Sequence, residues 1–159
     1  GPDSAGQSVT ARTWGRTRTR RNFAERGTGY VQFTRDPVDF VEAALAVREE
    51  PEPVLDSADA WARVSVKRLD EGRDGDTEWV EWALRPTENV VVRERVPTTN
   101  RGHAAVIEAT VAASRLDVPA YDRAELDSRL EYFADVAATC GGERERAAMA
   151  RLRELCHWR

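Results

Sequence analysis

The hydrophobic pattern of this chain changes its period once, near residue 97. Upstream of that point apolar and polar positions alternate in short runs, as on half-buried strands. SVTARTW (8–14) sets Val9, Ala11 and Thr13 against Thr10, Arg12 and Trp14. TGYVQFT (28–34) is rich in β-formers and is bounded by Gly27 and by Asp36–Pro37. Between the two, Asn22–Arg26 predicts a short helix that Gly27 stops. DPVDFVEAALAV (36–47) predicts a longer one, with Asp36 as N-cap, Pro37 in the first helical position and Asp39 complementing the dipole. Its apolar face is Phe40, Val41, Ala44, Leu45 and Val47. REEPEPVLDSA (48–58) reads as an acidic, proline-containing loop. WARVSVKRLD (61–70) and TEWVEWALRP (77–86) flank EGRDGD as a hairpin would, with Trp61, Trp79 and Trp82 packing on sheet faces. NVVVRERV (89–96) predicts one further strand.

Downstream the period becomes that of a helix. Thr98–Arg115 carries a face of small residues (Ala104, Ala105, Ala109, Ala112, Ala113) with Ile107 and Val111, which predicts a helix packed closely on another. Asp122 and Glu125 form a capping-box pattern before a stripe of Leu126, Leu130, Phe133 and Ala137, and Cys140-Gly141-Gly142 ends that helix. Ala148, Leu152 and Leu155 predict a third helix running to the C-terminus. The fold class is α+β, with strands in a domain over residues 1–97 and a C-terminal helical subdomain over 98–159.

Composition narrows the function classes. Hydrophobic residues make up 41% and charged residues 33%, which suits a packed core. No apolar run approaches the ~18 residues of a membrane span, and GPDSAGQS lacks the apolar stretch of a signal peptide. No membrane partner and a cytoplasmic location are therefore expected. The chain begins without Met, as a fragment or a processed product would. A net charge of −4 argues against general nucleic-acid binding. Lys67 is the single lysine among 24 basic residues, a bias that fits a GC-rich genome. Cys140 and Cys156 lie sixteen apart with no CxxC, and with His103 and His157 they form no metal-binding pattern. They are expected to be ordinary helix residues in a reducing compartment. No GxxxxGKS, GxGxxG, HExxH or GxSxG is present, and no residue stands out as a dedicated acid or base.

One stretch carries candidate chemistry. RTRTRRNFAERG (16–27) holds five arginines, two threonines and Asn22. A strand ending at Trp14–Gly15 and turning into a helix presents unpaired N–H groups at the helix start. Thr17 and Thr19 hydroxyls can donate to a phosphate, arginines add charge-assisted bonds, and Asn22 can cap the turn or reach the same anion. A solvated arginine-rich helix, or an anion or nucleic-acid patch, fits the same residues.

TWGRTRTRRNFAERGTGYVQFTRDPVDFVEAAL (13–45) resembles the flavin-reductase-like split β-barrel proteins of the archaeal family catalogued as domain of unknown function 447. There a strand leads into Arg-Thr-x-x-Asn, a Gly, a second strand and an Asp-Pro helix. NRGHAAVIEATVAASRL (100–116) is similar to the family's helical C-terminal signature. The resemblance implies a cytoplasmic, FMN-binding split β-barrel that forms a homodimer with flavin at the interface. Its N-terminus would here be incomplete, because family members begin with two further strands. Carried over, Thr17, Thr19 and Asn22 fall in the segment that grips the FMN phosphate, with Arg16 and Arg18 beside them and Gln32 a further position near the flavin. An FMN-dependent oxidoreductase is one implied activity. A noncatalytic dimerising or flavin-storage module is the alternative, and catalytic residues remain unassigned.

Overall fold

The computed structural model describes residues 8–46 and 52–158. Its elements are β1 (Val9–Trp14), α1 (Arg18–Arg26), β2 (Thr28–Thr34), α2 (Pro37–Leu45), β3 (Ala58–Asp74), β4 (Thr77–Val91), α3 (Arg101–Ala113), α4 (Arg123–Cys140) and α5 (Glu143–Cys156). They fall into two compact units: residues 1–33 with 58–94, and residues 34–57 with 95–159. Helix α2 thus goes with the C-terminal helices.

The first unit is a four-stranded sheet in the order β1-β4-β3-β2, with β1 and β3 both antiparallel to β4. The β3–β4 hairpin turns through Gly75-Asp76, where Asp74 faces Thr77. Gly75 has φ +55 and no other turn residue is left-handed, the pattern of a II′ turn that needs glycine first. Both arms run further than the alternation suggests. β3 starts at Ala58, so Asn89, Val90 and Val91 find partners in Ala62, Trp61 and Ala60. The expected separate strand over 89–96 is therefore the end of β4, and residues 92–96 have no regular structure.

Alternation puts Val64, Val80, Trp82 and Leu84 on one sheet face, where Ala11, Phe23, Val31 and Val66 complete the core. Trp82 is 2% exposed. Its ring N–H donates to Thr13 Oγ1 at 2.9 Å, which satisfies a polar atom that burial would otherwise strand. Phe23 of α1 meets Trp82 edge-on at 5.6 Å. It also fills the space over Gly29, where a Cβ would lie 2.6 Å from its ring.

In the second unit Asp36 caps α2 as expected, accepting from the Val38 and Asp39 N–H groups, with Pro37 at the helix start. Ion pairs Asp36–Arg144 and Glu42–Arg151 tie α2 to α5. Pro37 and Val41 are buried while Ala44 is exposed, so the buried stripe is narrower than the sequence suggests; Val47 lies outside the described residues. Helix α3 buries Gly102, Ala105, Val106, Ala109, Thr110, Ala112 and Ala113. Leu126, Leu130, Ala134 and Ala137 of α4 and Ala148, Met149 and Leu152 of α5 join the same core. At Gly102 a Cβ would lie 2.4 Å from Gly141 Cα, so glycine permits the contact between the start of α3 and the end of α4. Asn100 joins the starts of two helices: its Oδ1 caps α3 at His103 N and its Nδ2 donates to buried Glu145 at 2.9 Å.

Candidate anion-binding corner

β1 delivers the chain to a corner through Gly15, whose φ of +67 bends it there. Gly15 N–H donates to Glu78 O at 2.7 Å, which pins the corner to β4. Thr17 then caps α1: its Oγ1 accepts from Arg20 N–H at 3.2 Å. That cap starts the helix four residues before the expected Asn22. Arginine's good helix propensity lets the turn Arg18–Arg21 form once Thr17 satisfies an N-terminal N–H.

The earlier start decides what each candidate residue can do. Thr17 holds the cap, and a hydroxyl that accepts one bond can still donate another. Arg18 and Thr19 occupy the first two helical positions. Asn22 lies one turn beyond Arg18 and three residues from Thr19, on the same side of the helix. It does not cap the turn. Arg16, Thr17 and Thr19 are exposed, whereas Arg18 and Asn22 are half-buried. The helix dipole and the N–H groups of the first turn favour an anion just ahead of these side chains. Gln32 sits separately, in β2, half-buried.

Two residues outside the expected site set, Arg20 and Glu78, organise the corner. Arg20 Nη1 donates to Gly15 O at 3.2 Å and to Glu78 Oε2 at 3.0 Å, so Arg20 braces the turn. The bond and the charge of Arg20 hold the Glu78 carboxyl below its ordinary range, with Arg16 and Arg73 adding at longer distance. Nothing local could have pointed to this, since Glu78 is 58 residues away along the chain. The signal lies in the register, which places Trp79 opposite Trp14 and therefore brings Glu78 to the end of β1.

The opposite sheet face carries aromatic residues beside this corner. Arg12 lies 4.2 Å from the Trp79 ring centre and 5.8 Å from that of Trp14, and its Nη2 donates to Glu81. Trp79 in turn covers Gly72, where a Cβ would lie 2.7 Å from the indole.

Other chemistry is sparse among the described residues. No group of three or more His, Cys, Asp or Glu is placed to hold a metal ion, and no helix is long and apolar enough to cross a membrane. Cys140 and Cys156 are the last residues of α4 and α5. Burial, with the nearby charge of Asp117, pushes the Cys156 thiol up.

No functionally curated protein matches this sequence. A solved structure does: a crystal structure of an FMN-bound protein from Methanosarcina mazei, assigned to the DUF447 family, superimposes with a TM-score of 0.80 at 23% identity. The match covers 94% of this chain and 82% of that one. Residues 1–93 match the family model described as "Protein of unknown function (DUF447) N-terminal domain" and residues 100–154 match "Protein of unknown function (DUF447)". With both models matched along its length, this chain belongs to the DUF447 family.

Proposed function

We propose that the chain is an FMN-binding, flavin-reductase-like protein, and that the β1–α1 corner holds the flavin phosphate. The observation that carries this reading is that Thr17 caps α1, which sets Arg16, Thr17, Arg18 and Thr19 along its start and Asn22 one turn further on. Hydroxyl and guanidinium donors at a positive dipole end are the donor set a phosphate dianion requires. Arg20 bonds Gly15 O and Glu78 and so braces the corner. The FMN bound to the similar M. mazei protein supports the assignment.

Bound FMN supplies the electron-transfer chemistry, while the chain binds and orients it. Within this reading the sheet unit is part of a split β-barrel that pairs with a second copy, in the cytoplasm and without nucleic-acid or membrane partners.

The test is a pair of titrations. Hydrogen bonds to a charged acceptor contribute about 1.5–3 kcal/mol, roughly ten- to a hundredfold in affinity. Thr19→Val keeps the shape and removes the hydroxyl, so FMN should bind that much more weakly. Riboflavin, which has no phosphate, should hardly notice. Equal losses for both ligands would make Thr19 a structural residue. Oxidation of a reduced nicotinamide by the FMN-loaded protein then separates a reductase from a flavin-storage module.

A further inference from the structure

The sheet face behind the corner presents an exposed aromatic side chain. Trp14 is 47% exposed at the end of edge strand β1. Its neighbours are nonetheless fixed. Trp79 stands directly across in the register, held between Gly72 below and the Arg12 guanidinium above, and Arg12 is itself anchored by Glu81. About half of the indole is open to solvent beside this fixed neighbour, which leaves a face for a flat ligand to lie against.

We infer that Trp14 stacks against the isoalloxazine ring of the flavin. This rests on the phosphate assignment made above. Trp14 precedes the capping Thr17 by three residues, so the two are at most about 10 Å apart along the chain. That matches the reach of a ribityl chain joining a phosphate to its ring system. The corner and the indole belong to one unit and are joined by Gly15, which is bonded to β4. A flat, electron-poor heterocycle gains from an indole face much as nucleic-acid bases do. The riboflavin half of the ligand is thereby assigned a residue that contributes to its binding.

Flavin fluorescence reads this directly, because an indole in van der Waals contact quenches flavin emission and a phenyl ring does so weakly. FMN and riboflavin are titrated into the wild-type protein, Trp14→Leu and Trp14→Phe, with circular dichroism confirming that each variant folds. Wild-type protein should quench strongly. Trp14→Leu should lose about tenfold in affinity for both ligands, as the loss of one stacking partner implies. Trp14→Phe should regain most of that affinity while leaving the bound flavin bright. This pattern differs from that of Thr19→Val, which spares riboflavin. Unchanged affinity and quenching in both Trp14 variants would overturn the stacking while leaving the phosphate assignment standing. Dissociation of a dimer by Trp14→Leu, with flavin affinity intact, would also overturn it and give the indole to a subunit contact. No binding of FMN by the wild-type chain would instead refute the phosphate reading and the stacking with it.

Discussion

Thr13 shows how one side chain can decide a core. It sits on β1 among apolar neighbours and is buried, yet its hydroxyl is the acceptor for the Trp82 ring N–H at 2.9 Å. Alternation alone assigns Thr13 inward, and nothing in the sequence pairs it with a tryptophan 69 positions away. Thr13→Val keeps volume and β-propensity but leaves that N–H buried without an acceptor. An unmet buried donor costs about 1–3 kcal/mol, so the urea midpoint of the variant should fall. Trp82→Phe in the same background removes the orphaned donor as well as the bond. The double variant should therefore lose less than the two single losses summed. An unchanged midpoint for Thr13→Val would mean that water serves the indole. The same blindness to distance hid Arg20 and Glu78. Their pairing depends on β1 lying beside β4, which no local pattern announces.

At the level of elements, local chemistry was the readable part. Asp36, Asp122 and Gly27 stand where capping rules put them, since a cap uses only residues within one turn. The strand over 28–34 was bounded on both sides by turn residues and its limits agree with the fold. What escaped were consequences of partners. α1 begins early because Thr17 turns its side chain back onto Arg20 N–H, and β4 runs on because β3 reaches back to Ala58. The period change at residue 97 likewise says nothing about α2, whose amphipathic pattern does not name the layer it joins. Helix α3 is the case where sequence and packing agree most closely. Its small residues Ala105, Ala109, Ala112 and Ala113 are buried, and Ala104 alone of the expected five is exposed. Ala109 has no exposed surface. Ala109→Leu would drive extra methylenes into a filled contact, a change that costs about 1–3 kcal/mol. A lower midpoint with undiminished helical ellipticity at low denaturant is the expected result. No change would show that the helices can part at small cost.

Across the whole molecule, two carboxylates in the helical unit link stability to pH. Burial raises the Asp36 carboxyl, but the bond to Arg144, the N–H groups of Asp39 and Val38 and the Arg144 charge together hold it below its ordinary value. Glu145 follows the same course: desolvation raises it, and bonds from Gly142 N–H, its own N–H and Asn100, with a contribution from His103, more than offset that. A carboxyl whose folded-state pKa is depressed stabilises the fold above its unfolded pKa and loses that contribution as pH falls through the folded value. The urea midpoint followed by helical ellipticity should thus hold from pH 7 to about pH 5 and drop below that, as ordinary carboxyls and then these two protonate. Glu145→Gln should lower the midpoint at pH 7 and flatten part of that drop. An equally steep drop in the variant would assign the acid sensitivity elsewhere.

Assembly follows from the edges of the sheet. In the order β1-β4-β3-β2 both outer strands lack a neighbour on one side within the described residues, and edge strands that are long and apolar invite pairing. Here they carry Val9 and Trp14 on β1 and Tyr30 and Phe33 on β2, all exposed. Charge does little to guard them, because only Arg12 on β1 is ionic and it is engaged by Glu81 and the tryptophans, while β2 has no charged residue at all. A symmetric pair joined along β2 would bury Tyr30 and Phe33 through the same patch on each copy. Light scattering at micromolar concentration should then report twice the chain mass of 17.8 kDa. Replacing exposed Phe33 by Lys adds a charge that a buried edge cannot accept, and should shift the population towards monomer with the fold retained. A monomer in the wild type would remove the dimer from the proposed function. It would leave the proposed phosphate site untouched, since every side chain assigned to it comes from a single chain.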